Sequence, residues 1–227
     1  MNIAWGITGA GHLLKESYDV FKKLSEDHQV TILVSLAGEE VLRVYGLLDK
    51  LILIAGGKYM EEIFLESETG WSFPKNGRFL LRKYDALVIS PATSNTVAKI
   101  VHGIADSLIT NAVALAAKGG IPAYIMPVDV SGKIKSEMPY SIDRKACEKC
   151  DDCIPKRKCP QNAIDEQIDL LKCDGCGICV NYCPNNAIRG GFVEFTVRDV
   201  DAKNVNSLHS MKDVFVLDVP NDVLGLF

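Results

Sequence analysis

Short apolar runs alternate with longer amphipathic stretches over residues 1–130. The runs are apolar throughout instead of alternating with polar residues, and they lie at 3–8, 30–34, 86–89 and 123–126. Strands of this kind are buried on both faces, which is typical of a parallel sheet between two layers of helices. Apolar residues at helical spacing follow at 13–24, 39–48, 96–102 and 105–118. The pattern predicts a doubly wound, Rossmann-like α/β fold.

The pattern changes in the C-terminal half. Residues 131–145 are polar with glycine and proline, which predicts a linker. All eight cysteines lie between Cys147 and Cys183. Beyond them the α/β pattern returns, with strands predicted at 192–200 and 214–219 and a helix at 204–211. We therefore predict a domain over 1–140, a small inserted α+β ferredoxin-like domain over 141–190, and a segment over 191–227 that returns to the first domain.

Composition excludes several classes of function. A chain of 227 residues that is 48% hydrophobic can bury a substantial core. The net charge is −4 and the bases form no stripe, which argues against a nucleic-acid partner. No apolar run approaches the roughly 20 residues of a membrane span, and the N-terminus lacks the layout of a signal peptide. We expect a cytoplasmic protein that binds neither nucleic acid nor membrane.

The cysteines form an internal repeat. The spacings are Cys-x2-Cys-x2-Cys-x5-Cys-Pro from Cys147 and Cys-x2-Cys-x2-Cys-x3-Cys-Pro from Cys173. Three closely spaced thiolates can hold one [4Fe–4S] cluster, and the distant Cys-Pro supplies the fourth ligand of the other cluster. The repeat resembles the bacterial two-cluster ferredoxins. The predicted ligand sets are Cys147, Cys150, Cys153 and Cys183 for the first cluster, and Cys173, Cys176, Cys179 and Cys159 for the second.

Two other uses of these cysteines agree less well with the pattern. Disulfides belong to oxidising compartments, and zinc sites use two pairs of cysteines instead of two triplets with a trailing Cys-Pro. One departure from the ferredoxin pattern is the longer spacing in the first half. It predicts that residues 154–158 form a loop that protrudes beside the first cluster.

A glycine-rich turn is predicted where the first strand meets the first helix, at residues 6–11. Backbone N–H groups and the helix dipole make such a turn an anion site, most often for phosphate, although a tight turn without a ligand is the alternative. The second strand ends at Ser35, where a dinucleotide site would have Asp or Glu. A mononucleotide is therefore favoured over NAD. FMN fits beside a ferredoxin module because it accepts electrons in pairs and releases them singly.

The stretch SPATSNT, residues 90–96, supplies the clearest family resemblance. With the sequence that follows it to Leu108, the glycine turn, Ser35 and the segments 204–208 and 216–220, it resembles the homo-oligomeric flavin-containing cysteine decarboxylase superfamily. The resemblance implies an FMN site. Its residues would be Thr8, Gly9, Ala10, Gly11 and Ser35 around the phosphate and ribitol, and Pro91, Thr93, Ser94, Asn95 and Thr96 along the ribitol and ring edge. A helix cap is the alternative for this loop, and one loop can serve both purposes.

The superfamily's decarboxylases use a histidine in the middle of the domain, but residues 50–80 contain none. Decarboxylation is therefore disfavoured, and a flavin with two clusters indicates redox chemistry. The combination resembles the archaeal iron–sulfur flavoproteins of the superfamily, including the archaeoflavoproteins and the dihydromethanopterin reductases. The resemblance implies reduction of a dihydropterin, a ferredoxin-like electron donor and a homo-oligomer built from trimers. Trp71 and Phe73 are candidates to cover the pterin, with core packing as the alternative. No catalytic residue is predicted, and an electron carrier without its own substrate is the alternative function.

Overall fold

The computed structural model describes residues 1–227, apart from the side chain of Glu137. The strands are β1 Asn2–Ile7, β2 Gln29–Val34, β3 Ile63–Leu65, β4 Ala86–Ala92, β5 Ala123–Pro127, β6 Lys133–Ile142, β7 Ile188–Thr196 and β8 Val214–Val216. The α-helices are α1 Leu14–Asp27, α2 Leu36–Val44, α3 Leu48–Ala55, α4 Glu66–Thr69, α5 Gly77–Leu80, α6 Ser94–Val101, α7 Leu108–Gly119, α8 Ile154–Lys158, α9 Ile178–Tyr182 and α10 Asp199–Leu208. Short 3₁₀ turns lie at Pro74–Asn76 and Pro220–Gly225.

Six parallel strands form the main sheet in the order β3-β2-β1-β4-β5-β8. Successive residues of one strand face different cores: Ile3 and Trp5 of β1 belong to one hydrophobic cluster, and Ala4 between them belongs to the other. Burial on both faces explains why the strands are continuously apolar. The doubly wound α/β fold is confirmed. The strand order reverses between β1 and β4, where a sheet of this kind binds its ligands.

The cysteine segment is inserted between β5 and α10, because the chain rejoins the main sheet at β8. Strands β6 and β7 form a separate two-stranded antiparallel ribbon on either side of it. The limits predicted for the inserted domain, 140/141 and 190/191, both lie inside this ribbon. Several apolar residues of the ribbon and the segment share a hydrophobic cluster with α1 and α3, namely Tyr140, Ile142, Ile164, Ile168, Leu170 and Ile188. The inserted segment is therefore packed against the α/β domain.

Several predicted elements differ from the structure, and the strand expected at 214–219 is the shorter β8, which ends at Val216. Residues 131–145 were expected to be a linker, but most of them form β6, whose backbone hydrogen bonds are made to β7. This outer ribbon needs no apolar run, because much of it is exposed. The strand expected at 192–200 begins at Ile188 and ends at Thr196, and the helix expected at 204–211 is α10, which begins at Asp199 and ends at Leu208. The helix expected at 39–48 ends at Val44, because Gly46 has a φ of +64°.

Candidate functional site

A cleft lies at the carboxyl ends of β1, β2 and β4, beside the point where the strand order reverses. Its volume is about 420 Å³. Six of the ten residues predicted for the flavin site line it, although they come from three separate parts of the chain: Gly9, Ser35, Thr93, Ser94, Asn95 and Thr96. The fold thus brings the glycine turn, the end of the second strand and the SPATSNT stretch to one cavity. Hydroxyl and amide groups make this wall polar and uncharged.

Two helices begin at this cleft, and both are capped by predicted site residues. The hydroxyl of Ser35 accepts a hydrogen bond from the backbone N–H of Gly38 (3.1 Å) at the start of α2. The hydroxyl of Thr93 accepts one from the N–H of Thr96 (3.3 Å) at the start of α6. The capping alternative is therefore confirmed for this loop. Both helices also direct the positive ends of their dipoles towards the cleft, which suits an anionic group.

Thr8 has a different place from the one the resemblance implied. Its side chain is buried behind the cleft, where the hydroxyl donates to the carbonyl of Pro91 (2.8 Å) and accepts from the N–H of Thr93 (3.0 Å). It joins the turn after β1 to the loop after β4. Pro91 is also buried, so neither residue is among those that line the cleft. Together Thr8 and Pro91 fix the distance between the turn after β1 and the loop after β4, which form two walls of the cleft.

The rest of the glycine turn is divided between two surfaces. Gly9 lies against the start of α2, and a Cβ at this position would stand 2.6 Å from the Cβ of Ala37 and 3.2 Å from its carbonyl carbon. Only glycine permits this approach. Ala10 is buried. Gly11 lines two cavities on the side of the β6–β7 ribbon, beside His12 and Tyr45, instead of the predicted cleft.

Charged residues that the sequence did not single out complete the cleft: Glu66, Lys99 and Asp106, with Ser107 beside them. The carboxylate of Glu66 is buried and accepts a hydrogen bond from the N–H of Leu36 (3.3 Å). Lys99 forms a salt bridge with Asp106 (2.8 Å). Asp106 and Ser107 belong to the stretch that carries the family resemblance, so a signal for them existed. Glu66 follows a strand of three residues, which leaves no periodic signal.

Neither aromatic proposed as a cover for a pterin is among the described residues that line the cleft. Phe73 packs on Phe64, with ring centroids 4.7 Å apart, and belongs to the periphery of the core. Trp71 is 53% exposed, and its backbone carbonyl accepts from the amide of Asn111. The alternative of core packing is confirmed for Phe73, and neither aromatic covers the cleft of its own chain, because this loop packs beside α7 and β3.

The eight cysteines gather in two groups of four. Cys147, Cys150, Cys153 and Cys183 line one cavity of about 300 Å³, which we call the outer cysteine cavity. Cys159, Cys173, Cys176 and Cys179 line a second and smaller one, the inner cysteine cavity. Each group joins three cysteines from one half of the repeat to the Cys-Pro cysteine of the other. None of the eight is paired in a disulfide.

The two halves of the repeat have matching local structure. Asn162 and Asn186, three residues after their respective Cys-Pro cysteines, both have a φ of +49°. The following alanines donate their N–H groups to sulfur: Ala163 to Cys159 Sγ (3.3 Å) and Ala187 to Cys183 Sγ (3.4 Å). Hydrogen bonds to sulfur are suited to thiolates that hold an iron–sulfur cluster.

The loop predicted at 154–158 is a helix. These residues form α8, and Pro155 is buried. The corresponding helix of the second half, α9, also has five residues. The different spacings are accommodated because Cys153 precedes α8, whereas Cys179 lies inside α9. The longer spacing therefore adds no protruding loop.

The electrostatic surroundings of the two cavities differ. Burial raises the pKa of the Cys173 and Cys179 thiols in the inner cavity, so their thiolates require a compensating positive charge. The outer cavity is bordered by exposed ion pairs, such as Lys156 with Asp165 (2.8 Å). Among the described residues, no three His, Cys, Asp or Glu side chains are grouped closely enough to hold a single metal ion. No helix of the described chain has the length and apolar character needed to cross a membrane.

Comparison with known proteins gives a consistent assignment. The flavoprotein family matches residues 1–145, and the 4Fe–4S binding domain matches residues 166–189. The dihydromethanopterin reductase (acceptor) of Methanosarcina mazei is 58% identical over 99% of this chain and 98% of its own length. The protein of the same name from Methanocaldococcus jannaschii is 49% identical, over 100% of this chain and 96% of its own length.

A solved structure has the same fold along nearly the whole chain. DmrB of Burkholderia xenovorans, determined in complex with FMN and described as a cubic protein cage for redox transfer, gives a TM-score of 0.64 at 24% identity. The match covers 99% of this chain and 91% of DmrB. The chain belongs to the flavoprotein family, in the group that includes the archaeal dihydromethanopterin reductases (acceptor), and carries a 4Fe–4S binding domain.

Proposed function

We propose that this chain is an iron–sulfur flavoprotein oxidoreductase that reduces 7,8-dihydromethanopterin to tetrahydromethanopterin with electrons from a ferredoxin-like donor. The observation that carries the proposal is the presence, in one chain, of a polar cleft where the sheet reverses its strand order and of two cavities with four cysteines each. The names of two relatives that match over nearly their whole length supply the substrate.

FMN would occupy the cleft. Gly9 and Ser35 lie where the N-terminus of α2 favours a phosphate, and the wall from Thr93 to Thr96 offers neutral donors and acceptors to the ribitol and the ring edge. Thr8 and Pro91 hold this wall in place from behind. Gly9 approaches Ala37 closely and has no side chain, so the turn presents its backbone to a bound ligand. DmrB, which shares the fold, was solved with FMN.

Two [4Fe–4S] clusters would be held by the two cysteine cavities. Four thiolates are the ligand number that such a cluster requires, and each cavity provides four. The match to a 4Fe–4S binding domain includes Cys173 to Cys183, and the matching local structure of the first half extends the proposal to Cys147, Cys150 and Cys153. When bound, FMN supplies two-electron reduction and each cluster supplies single electrons.

Charged residues of the cleft would contact the substrate. Lys99, Asp106 and Glu66 line the same cleft as the neutral wall, and the carboxylate of Glu66 accepts from the N–H of Leu36 at the start of α2. A reduced pterin carries N–H donors and carbonyl acceptors, which a buried carboxylate and a lysine can recognise by hydrogen bonds. The neutral wall would thus contact the cofactor, and the charged residues of the same cleft would contact a substrate of different polarity.

We also propose a homo-oligomer built from trimers. Several large apolar side chains are unusually exposed on the single chain, notably Leu53 (80%), Leu81 (70%) and Val44 (64%). Apolar side chains that are covered by another chain in an assembly are exposed in a single chain, as these are. DmrB is described as a cubic cage, and a cube has threefold axes. Eight cysteines of which none is paired in a disulfide suit a reducing compartment, and we place the protein in the cytoplasm.

Anaerobic purification followed by a steady-state assay tests the proposal. We expect about eight irons and about eight sulfides per chain, one FMN, and FMN-dependent formation of tetrahydromethanopterin with a reduced dye as donor. A protein with full flavin and iron content that does not turn over dihydromethanopterin, but passes electrons to a partner protein, would establish the electron-carrier alternative instead.

A further inference from the structure

The first cysteine of each Cys-x2-Cys-x2-Cys triplet has a cation beside it, but the two cations come from different domains. Arg144 lies three residues before Cys147, and its Nη1 is 4.0 Å from that sulfur. The cation beside Cys173 is Lys15, whose Nζ donates to the carbonyl of Cys173 at 3.1 Å across 158 positions of sequence. Lys15 belongs to the first turn of α1. The cation beside the outer cysteine set thus belongs to the cysteine module, and the cation beside the inner set belongs to the flavoprotein domain.

Lys15 is held in place by its surroundings. The residue is half-buried, and its Nζ lies 5.9 Å from the centroid of the Tyr45 ring. It lies in a small cavity whose other charged or titratable residues are His12, Glu16 and Lys135. Within the described chain, Lys15 forms no salt bridge with an acidic residue. Its positive charge is therefore not neutralised by a partner and acts on the inner cysteine cavity.

A second contact joins the same loop to the flavoprotein domain. Leu171, two residues before Cys173, reaches the turn after α2, where a Cβ added at Gly46 would stand 3.7 Å from its Cδ1. Cys179 is buried in the hydrophobic cluster that includes α1 and α3. In the outer set, Cys150 and Cys153 are exposed, and Cys147 and Cys183 are half-buried against the same cluster; in the inner set only Cys176 is exposed. The inner set is thus the more buried of the two, and it adds the hydrogen bond from Lys15 to its apolar contacts with the flavoprotein domain.

We propose that Lys15 is a positioning residue that holds the Cys173 loop against the flavoprotein domain and raises the reduction potential of the cluster in the inner cysteine cavity. The inference rests on the proposed function, since it requires the clusters. Reduction adds one negative charge to a [4Fe–4S] cluster, so an unneutralised cation nearby stabilises the reduced form. Because Lys15 is part of α1, the same contact makes the inner cluster responsive to the domain that holds the flavin.

The test is an EPR-monitored redox titration of the whole protein, as wild type and as Lys15→Gln, Lys15→Arg and Arg144→Gln. The two cluster signals are assigned with Cys150→Ala and Cys176→Ala, each of which removes one cluster. We expect Lys15→Gln to shift the inner-cluster potential to more negative values and to leave the outer one unchanged. Arg144→Gln is the matched control and should shift only the outer one. Lys15→Arg keeps the charge and should stay close to wild type.

Several results would decide against the inference. Full iron content in Lys15→Gln with both potentials unchanged, or with only the outer one shifted, would overturn it and leave the proposed function intact. If Lys15→Gln loses about half of the iron, full iron content in Lys15→Arg supports the positioning role, whereas the same loss in both variants contradicts it. Wild-type protein that is purified anaerobically and carries flavin but no iron would overturn both proposals.

Discussion

The cysteine module is formed by one short segment of the chain, whereas the flavin cleft is formed by residues that lie far apart in the sequence. The two cysteine cavities come from residues 147–183, and each half repeats the same turn, with Asn162 and Asn186 at the same φ. The cleft joins Gly9, Ser35 and Thr93 from the ends of three strands. Local sequence therefore determines the cysteine cavities, whereas the whole sheet determines the cleft. A change in the module should stay within one cavity, and a change at the cleft should affect both flavin binding and stability.

Pairs of cysteine substitutions should separate the two cavities with the largest effect. Cys147 and Cys183 line the same cavity, so Cys147→Ala, Cys183→Ala and the double variant should each lower iron from about eight to about four per chain. Cys173 and Cys183 line different cavities, so that double variant should lose nearly all iron. Iron analysis and EPR measure the outcome. Loss of all iron in the Cys147→Ala/Cys183→Ala variant would contradict the grouping.

Gly9→Ala should have the largest effect at the cleft. Its Cβ would stand 2.6 Å from the Cβ of Ala37 and would crowd the backbone of α2. We expect a loss of about 1–3 kcal/mol in the free energy of unfolding and at least a tenfold loss in flavin affinity. Flavin titration of the apoprotein and denaturant unfolding measure the two effects. Iron content should be unchanged.

Gly77→Ala is the matched control for Gly9→Ala. A Cβ at Gly77 meets no described atom within 4 Å, and its φ of −57° suits any residue. The Gly77→Ala variant should retain the flavin affinity and the stability of the wild type. Equal flavin loss in both variants would show that the effect of Gly9→Ala is not steric.

Thr8→Val tests the brace between the two walls of the cleft. The substitution keeps the shape but removes the hydroxyl that bonds to the carbonyl of Pro91 and the N–H of Thr93. The buried carbonyl of Pro91 and the half-buried N–H of Thr93 lose this partner, and we expect a cost of about 1–2 kcal/mol in stability and a several-fold loss in flavin affinity. Thr8→Ser retains the hydroxyl and should recover most of both. A Thr8→Ser variant as weak as Thr8→Val would attribute the effect to the methyl group.

The smallest expected effect concerns Glu39, on α2 beside the cleft. Hydrogen bonds from Ser67 and then from Arg43 lower the pKa of its carboxyl below the ordinary 4.5. The folded state therefore stabilises the ionised carboxylate of Glu39 relative to the unfolded state. Its stabilisation is fully present above pH 4.5 and is lost as the pH falls through the lowered pKa.

Glu39→Gln should cost less than about 1 kcal/mol at pH 7, because the ion pair is partly exposed to solvent. The difference from wild type should disappear under strongly acidic conditions, where both side chains are neutral. Denaturant unfolding at neutral and acidic pH measures it. A difference that stays constant with pH would assign the effect to packing.

Features that depend on local sequence could be predicted, whereas features that depend on contacts between distant residues could not. The spacing of the cysteines is sufficient to group Cys147 with Cys183, because one short repeat supplies all the cysteines of both cavities. Apolar runs predict β1, β2, β4 and β5, since these strands are buried on both faces. The polar strand β6 has no such run, because its outer part is exposed and its pairing with β7 depends on residues 46 to 63 positions away.

Individual contacts in the cleft were beyond the reach of sequence patterns. Thr8 belongs to the right turn, yet its hydroxyl points to Pro91 and not into the cavity, which depends on the separation of β1 and β4. Glu66 enters the cleft only because β3 pairs with β2. Periodicity reports burial along one element, and these positions depend on contacts between elements.

The central claim is that electrons from this chain reduce a dihydropterin. The most direct measurement is an anaerobic single turnover, in which protein reduced with a stoichiometric amount of dithionite is mixed with 7,8-dihydromethanopterin and followed by flavin and cluster absorbance. We predict that both absorbances return to the oxidised form as an equivalent amount of tetrahydromethanopterin appears, and that Gly9→Ala without flavin gives none. Fully reduced protein that stays reduced with the pterin, but is oxidised by a protein acceptor, would contradict the claim.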